Sequence, residues 1–278
     1  MDLHILEFLA APFAASLILT GIHAYLGVHV VERGVIFVDL SLAQIAALGA
    51  TIAALLPFTD GDPHGPWVYR VSLLFTFIGA AIFSTIRSRR ARIPQEAIIG
   101  ISYAVASAAA ILAMSKATSE SEHLKDRLVG NILAVSWSEV GGTAALYAAI
   151  GAFHYVFRQR FLAISIDHDK AEAAGVNVKL WDFLFYASFG FVVTSSVAIA
   201  GVLLVFCYLI VPSVAAMLYA EGIGRRLAIG WTMGTVVSAL GIYLSVVLDL
   251  PTGATMVCTF GLVLILMAAA RPLLQRGA

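Results

Sequence analysis

Between Gly34 and Leu56 only one side chain carries a formal charge, Asp39; the rest of the run is apolar, small or uncharged. A stretch of this length can cross a bilayer, where an ionised carboxylate costs several kcal/mol without a partner or a wet cavity. Three things can offset that cost: a bound cation, a hydrogen-bonding or protonated neighbour, or protonation of the carboxylate itself. On a helical wheel Asp39 shares its side with Ala43, Ala46, Ala47 and Ala50, small residues that let helices approach closely. Ser41, Gln44 and Thr51 form a separate polar stripe. Two readings follow. Asp39 handles a cation together with a group on a neighbouring helix, His23 being one candidate. Alternatively it anchors a tight helix contact while Ser41 and Gln44 line a pathway.

Other ionisable groups near apolar runs are Glu139, close to a helix start, and Asp249, close to a helix end. Polar groups scattered over several helices suit a pathway better than one catalytic pocket. No Gly-x-x-x-x-Gly-Lys-Ser/Thr segment exists to cradle nucleotide phosphates, and no His-Glu-x-x-His or Gly-x-Ser-x-Gly pattern occurs. A transport subunit therefore outranks an intramembrane enzyme. Cys207 and Cys258, both in apolar runs, are too few for a cysteine-rich metal site. Met114, Met217, Met233 and Met256 read as packing residues.

The elements that must hold these residues are membrane helices. Of 278 residues 60% are hydrophobic and 12% charged, with a mean hydropathy of +0.93; soluble domains carry about 25% charged residues. The apolar runs are continuous rather than alternating, which selects helices over a β-barrel. They fall at 6–28, 35–57, 67–86, 96–115, 142–157, 181–198, 201–220, 227–248 and 253–270. The expectation is an all-α, polytopic chain of eight or nine transmembrane helices, forming one domain over residues 1–278. The break at Ala200/Gly201 fits two short passes or one broken helix. Leu128 to Val135 is too short to cross. The N-terminus lacks the basic start and cleavage site of a secretory signal and reads as the beginning of the first membrane helix. Pro212, inside an apolar run, frees a carbonyl and kinks its helix; it is a candidate hinge, although bilayer helices tolerate proline and a structural role is the simpler reading.

Basic residues orient the chain. With loops alternating, one side receives Arg33, Arg87, Arg89, Arg90, Arg92, Arg158, Arg160, Lys170, Lys179, Arg225, Arg226, Arg271 and Arg276. The other receives Arg70, Lys116, Lys125 and Arg127, so thirteen stand against four and the C-terminus is cytoplasmic. The outer loop 59–66 is acidic and contains His64, while 116–127, with His123, balances three acidic against three basic residues; ordinary solvated loops are the simpler reading. Net charge is zero, which gives no reason to expect a nucleic-acid partner.

The longest cytoplasmic connection runs from Arg158 to Phe185. Asp167, His168 and Asp169 can cap a short helix over Lys170–Ala174, closed by Gly175, with a new helix from Lys179. Such a helix suits docking into a groove of a soluble partner, although an ordinary capped loop reads the same way.

"DHDKAEAAGVNVKLWD" followed by "VAIAGVLLVFCYLIVPSVAAML" resembles the permease subunits of metal-ion ABC importers, the zinc/manganese/iron permease family. An Asp-x-x-x-Ala-x-x-x-Gly loop of that family is matched by Asp167, Ala171 and Gly175, and its following helix by Gly201, Leu203, Leu204, Pro212 and Ala216. "GVHVVERGVIFVDLSLAQIAALG" and "EAIIGISYAVASAA" are similar to the family's second and fourth helices. The resemblance implies a half-transporter in a bacterial inner membrane, with two copies forming the pore. A cytoplasmic ABC ATPase dimer would bind ATP and dock on Asp167, Asp169, Lys170, Ala171, Glu172 and Gly175. An extracytoplasmic metal-binding protein would deliver a divalent metal ion, and this chain would bind no cofactor of its own. A metal chelate or siderophore as cargo, or a secondary ion-coupled transporter, are the alternatives. The family's second helix carries an Asp and a His four residues apart; aligned on Gly49 they fall on Leu40 and Gln44, so the pair is absent. Losing that imidazole weakens a zinc assignment.

Overall fold

A computed structural model describes residues 3–56, 66–86, 93–115 and 132–276. The stretches with His64, His123, Arg87 to Arg92, Lys116, Lys125, Arg127 and Leu128 lie outside the described residues. Among the described residues ten α-helices follow in order: α1 Leu3–Glu32, α2 Val38–Ala54, α3 Pro66–Ile86, α4 Gln95–Met114, α5 Trp137–Val156, α6 Arg158–Ile166, α7 His168–Ala173, α8 Val178–Tyr219, α9 Ile223–Leu248 and α10 Thr252–Arg276. A 3-10 turn, Ile132–Ala134, precedes α5. No strand occurs among the described residues, as expected of a chain whose backbone polar groups must be satisfied away from water.

Six of these helices are long and apolar enough to cross a membrane, or seven if α5 and α6, bent by 74° at their junction, count as one span. The sequence pointed to eight or nine. Two elements make the difference. With 17 residues α2 is short for a span. The 42 residues of α8 are two helical segments joined across a kink at one non-helical residue, Gly201, at φ 74° and ψ 162°. At 1.5 Å per residue its two segments together hold about 63 Å of helix, twice the hydrocarbon thickness.

The chain divides into two compact units. The first comprises residues 1–31, 126–153 and 196–278. In it α1 runs antiparallel to α9: Gly234 meets Thr20, Trp231 Nε1 donates to the Gly21 carbonyl at 3.0 Å, and Gly230 meets Ala24. Against α8, Ser213 Oγ donates to the carbonyls of Leu209 (2.8 Å) and Ala24 (3.4 Å). The α9–α10 corner is closed by Asp249 in the left-handed region, at φ 53°. There Ser245 bonds the Leu250 carbonyl (2.7 Å) and the Thr252 hydroxyl (2.6 Å).

The second unit comprises residues 32–125 and 154–195. Antiparallel α2 and α3 pack small against large: Ala53 and Ala50 meet Val68, Gly49 meets Phe75, and Gly79 meets Leu42 and Ile45. Ser72 Oγ donates to the Ala46 carbonyl at 2.8 Å. Of the alanine face read from the sequence, Ala43, Ala46 and Ala50 are buried and Ala47 is half-buried, while Ala53 joins the seam from outside that reading.

Candidate functional site

Asp39 lies in the first turn of α2, one residue into the helix, because the chain turns from Arg33 to Phe37 before α2 begins. It is therefore at a helix end, whereas the apolar run from Gly34 placed it further inside a span. The residue is 1% exposed, and neither carboxylate oxygen has a hydrogen-bond partner among the described residues. The buried Ser41 hydroxyl is likewise unpartnered. Gln44 is half-buried, and Thr51 returns its hydroxyl to the Ala47 carbonyl at 2.9 Å. The expected stripe is thus split: Ser41 inside, Gln44 and Thr51 part-exposed. Two residues before Asp39, the Phe37 N–H donates to Glu96 Oε1 of α4 at 2.9 Å, while Glu96 Oε2 is buried without a partner.

His23 sits in the first unit, fully buried, with both ring nitrogens engaged there. Nδ1 is 2.8 Å from the Leu19 carbonyl, which can only accept, so Nδ1 carries the proton. Nε2 then accepts from Ser196 Oγ at 3.1 Å, and Tyr147 Oη donates to Ser196 at 2.5 Å. This is a directed chain of hydroxyls ending on an imidazole, five residues before Gly201. It leaves His23 no nitrogen for Asp39, so the carboxylate's compensation must come from elsewhere. Glu139 and Asp249 are exposed; Glu139 closes a capping box with Ser136, accepting from its N–H (2.8 Å) and hydroxyl (2.7 Å). Neither belongs to a buried pathway.

The short capped helix of the Arg158–Phe185 connection forms, one or two residues earlier than read. Asp167 caps α7 by accepting from the Lys170 N–H at 3.0 Å, and Lys170 Nζ pairs with its other oxygen at 2.8 Å. Those hydrogen bonds from Lys170 hold the Asp167 carboxyl below its usual range and raise the Lys170 ammonium. Gly175, at φ 82°, ends the helix: its N–H reaches the Glu172 carbonyl (2.9 Å) and the Val176 N–H the Ala171 carbonyl (3.1 Å). One expected contact is corrected. Ala171 is 4% exposed and faces the protein's own interior. The exposed side of this helix and its cap is Lys170, Glu172, Ala173, Ala174 and Gly175, with Asp169 part-exposed. Pro212 is also corrected as a hinge, since its backbone stays helical and the interruption in α8 is Gly201.

A further group was not singled out in the sequence. Arg33, buried, donates from Nε to Ser165 Oγ at 2.8 Å and from Nη1 to Asp182 Oδ1 at 2.6 Å, over the Phe185 ring at 3.9 Å. His154 stacks beside it on Phe161 (4.3 Å) and bonds Ser188 (2.8 Å). A signal was present: Asp182 is the only acidic residue between Glu172 and Glu221. A lone charge at the start of an apolar helix calls for a partner.

Comparison with known proteins gives a family match over residues 5–271, to the ABC 3 transport family. The chain is similar to the manganese transport system membrane protein MntC of Listeria monocytogenes, 31% identical over 65% of this chain and 67% of that one. It is also similar to a probable iron transport system membrane protein of Haemophilus influenzae, 25% identical over 90% and 89%. The chelated iron transport system membrane protein YfeC of Yersinia pestis is 24% identical over 91% and 85%. Among solved structures, PsaBC from Streptococcus pneumoniae in complex with Fab shares the fold, with a TM-score of 0.74 at 24% identity over 94% and 91% of the chains. An inward-facing putative metal-chelate type ABC transporter does so at 0.71 and 18%, over 93% and 85%.

Proposed function

The chain belongs to the ABC 3 transport family, and we propose that it is the membrane-spanning permease subunit of an ATP-driven importer for a divalent transition metal ion. It is a transport subunit rather than an enzyme, with ATP hydrolysis on a separate subunit. The observation that carries this reading is the family match across nearly the whole chain. Names of relatives favour manganese or iron as the ion, and Gln44 in place of an imidazole also disfavours zinc. The partners are a second copy of this chain, a cytoplasmic ABC ATPase dimer that docks on α7, and an extracytoplasmic metal-binding protein, in a bacterial inner membrane. The permease is one functional domain of eight or nine passes, with α2 crossing despite its length and α8 supplying more than one crossing.

Within it, Asp39 is the group that meets the cargo. A buried carboxylate with no protein partner among the described residues needs an outside cation, water or a proton, and a divalent ion is the strongest of these. Ser41 and Gln44 line the approach. His23, with both nitrogens engaged, supports α8 just before its break.

The test is uptake into vesicles carrying the assembled transporter, with manganese, iron and zinc offered separately, then as a siderophore chelate. ATP-dependent accumulation of a free ion supports the reading. Accumulation of the chelate alone makes the cargo a complex, and uptake that ignores ATP but follows an ion gradient would overturn the proposal.

A further inference from the structure

The loop that holds α7 is closed at its base by a side chain from outside it. Arg33 bonds Ser165 near the end of α6 and Asp182 in the second turn of α8. These partners are 17 positions apart (182 − 165), and α7 with both its caps lies between them. The Arg33 and Asp182 side chains are 0% and 1% exposed. A planar cation with two fixed oxygen partners and a ring beneath it has essentially one geometry, which an ammonium could not reproduce. Beside the pair opens a cleft of about 170 Å³ lined by Asp182, Ser84, His168, Glu172, Asn177 and Lys179, among others. A partner seated on α7 would cover it.

Arg33 also begins the turn into α2. Four residues on, the Phe37 N–H is held by Glu96 of α4, and α2 starts at Val38 with Asp39 in its first turn. The elbow 33–37 is thus gripped at one end by the base of the α7 loop and at the other by α4. A buried ion pair adds little stability over a packed apolar pair, but it fixes relative position. A displacement at α7 can reach the start of α2 through this dry contact and the short elbow 33–37.

We propose that Arg33 is a positioning residue for transport: it ties the base of the docking loop to the first turn of α2, so that what happens at α7 sets the placement of Asp39. This rests on reading α7 as the ATPase-docking helix.

The experiment uses the full transporter in vesicles and reads ATP hydrolysed per ion imported, together with stimulation of hydrolysis by the loaded binding protein. Arg33→Lys keeps the charge and loses the fork. It should bind the ATPase normally yet raise ATP consumed per ion by about tenfold, a typical coupling effect. Ser165→Ala, which spares the ion pair, should raise it by a smaller factor and covers the case in which Arg33→Lys fails to insert. Wild-type ATP per ion in folded Arg33→Lys, or in Ser165→Ala should Arg33→Lys not insert, would overturn the proposal. So would uptake falling only in proportion to the amount of folded protein. Ala174→Arg, on the exposed side of the loop, separates the two ideas. If it still binds and stimulates the ATPase, the docking reading fails and takes this proposal with it. If it abolishes binding while Arg33→Lys couples normally, the proposal alone is wrong.

Discussion

Gly27 of α1 faces the main-chain oxygen of Leu209 in α8 so closely that a Cβ on Gly27 would lie 1.9 Å from it, and 2.3 Å from Ser213 Oγ. The obstacle is backbone, which no rotamer change can move aside. Gly27 therefore sets how near α1 and α8 come, and the Ser213 bonds to Leu209 and Ala24 depend on that distance.

Gly27→Ala should separate the two helices and cost at least the 1–3 kcal/mol typical of overpacking. In detergent the Tm should fall by several degrees. Gly21→Ala, where a Cβ meets nothing within 4 Å, should leave it unchanged. Equal Tm values for the two variants would show that α1 and α8 are free to shift.

Gly201 has a backbone conformation that only glycine adopts readily, and holding another residue there costs about 1–3 kcal/mol. Gly201→Ala should lower both thermal stability and transport. Pro212→Ala, within regular helix, should retain transport. The opposite ranking would restore Pro212 as the hinge.

Asp39→Asn keeps the size and removes the charge. Metal uptake should be lost while expression and ATPase binding stay near wild type. If uptake survives in Asp39→Asn and collapses in Asp39→Leu, the residue is a hydrogen-bond anchor, and Gln44→Leu should then be the more damaging change.

The cap on α7 has a definite response to acid. Because the Asp167 carboxyl titrates below its usual value of 3.8 in the folded chain, its contribution is present at higher pH and is lost as pH falls through that lowered value. Exchange protection of the Lys170 amide should persist to below the ordinary carboxylate range. In Asp167→Ala it should be weak at every pH, and loss of protection already near pH 5 in the wild type would contradict the cap.

Orientation is tested by labelling. After Cys207 and Cys258 are replaced by serine, a cysteine at Lys179 should resist an impermeant thiol reagent outside intact cells, and one at Leu250 should react. Reversed labelling would invert the topology.

Much of this architecture is legible in the chain itself. Helices α3, α4 and α9 begin and end within a few residues of their apolar runs, because hydrocarbon length and backbone satisfaction leave little choice. The Asp167 cap and the Gly175 stop are local chemistry and were readable for that reason. What escaped depends on distant partners. Arg33 and Asp182 are 149 positions apart, so no local pattern joins them. Ala171 was expected to face a partner, yet a six-residue helix folded back on its own base must bury one side. Asp39 was placed a few residues inside a span because Gly34 to Phe37 are uncharged; a turn there cannot be told from helix by polarity. Pro212 drew the hinge reading by residue type, whereas a glycine reveals its φ only once the backbone is built.

The partners of α1 carry one more consequence, for how the chain is made. His23 bonds a residue 173 positions later, Ala24 one 189 later and Gly21 one 210 later. A ribosome adding roughly 5–20 residues per second needs on the order of 9–35 s to cover the first of these separations. Throughout that interval the nascent α1 has its buried imidazole in place and its hydroxyl partner not yet made. The C-terminal corner is the opposite case, since Ser245 finds Leu250 and Thr252 almost as soon as they emerge. The most vulnerable state of this protein is thus an unfinished one. Chains stalled before Ser196 should be degraded in the membrane much faster than chains stalled beyond Trp231, and equal lifetimes would mean that α1 is sheltered by something other than its own sequence.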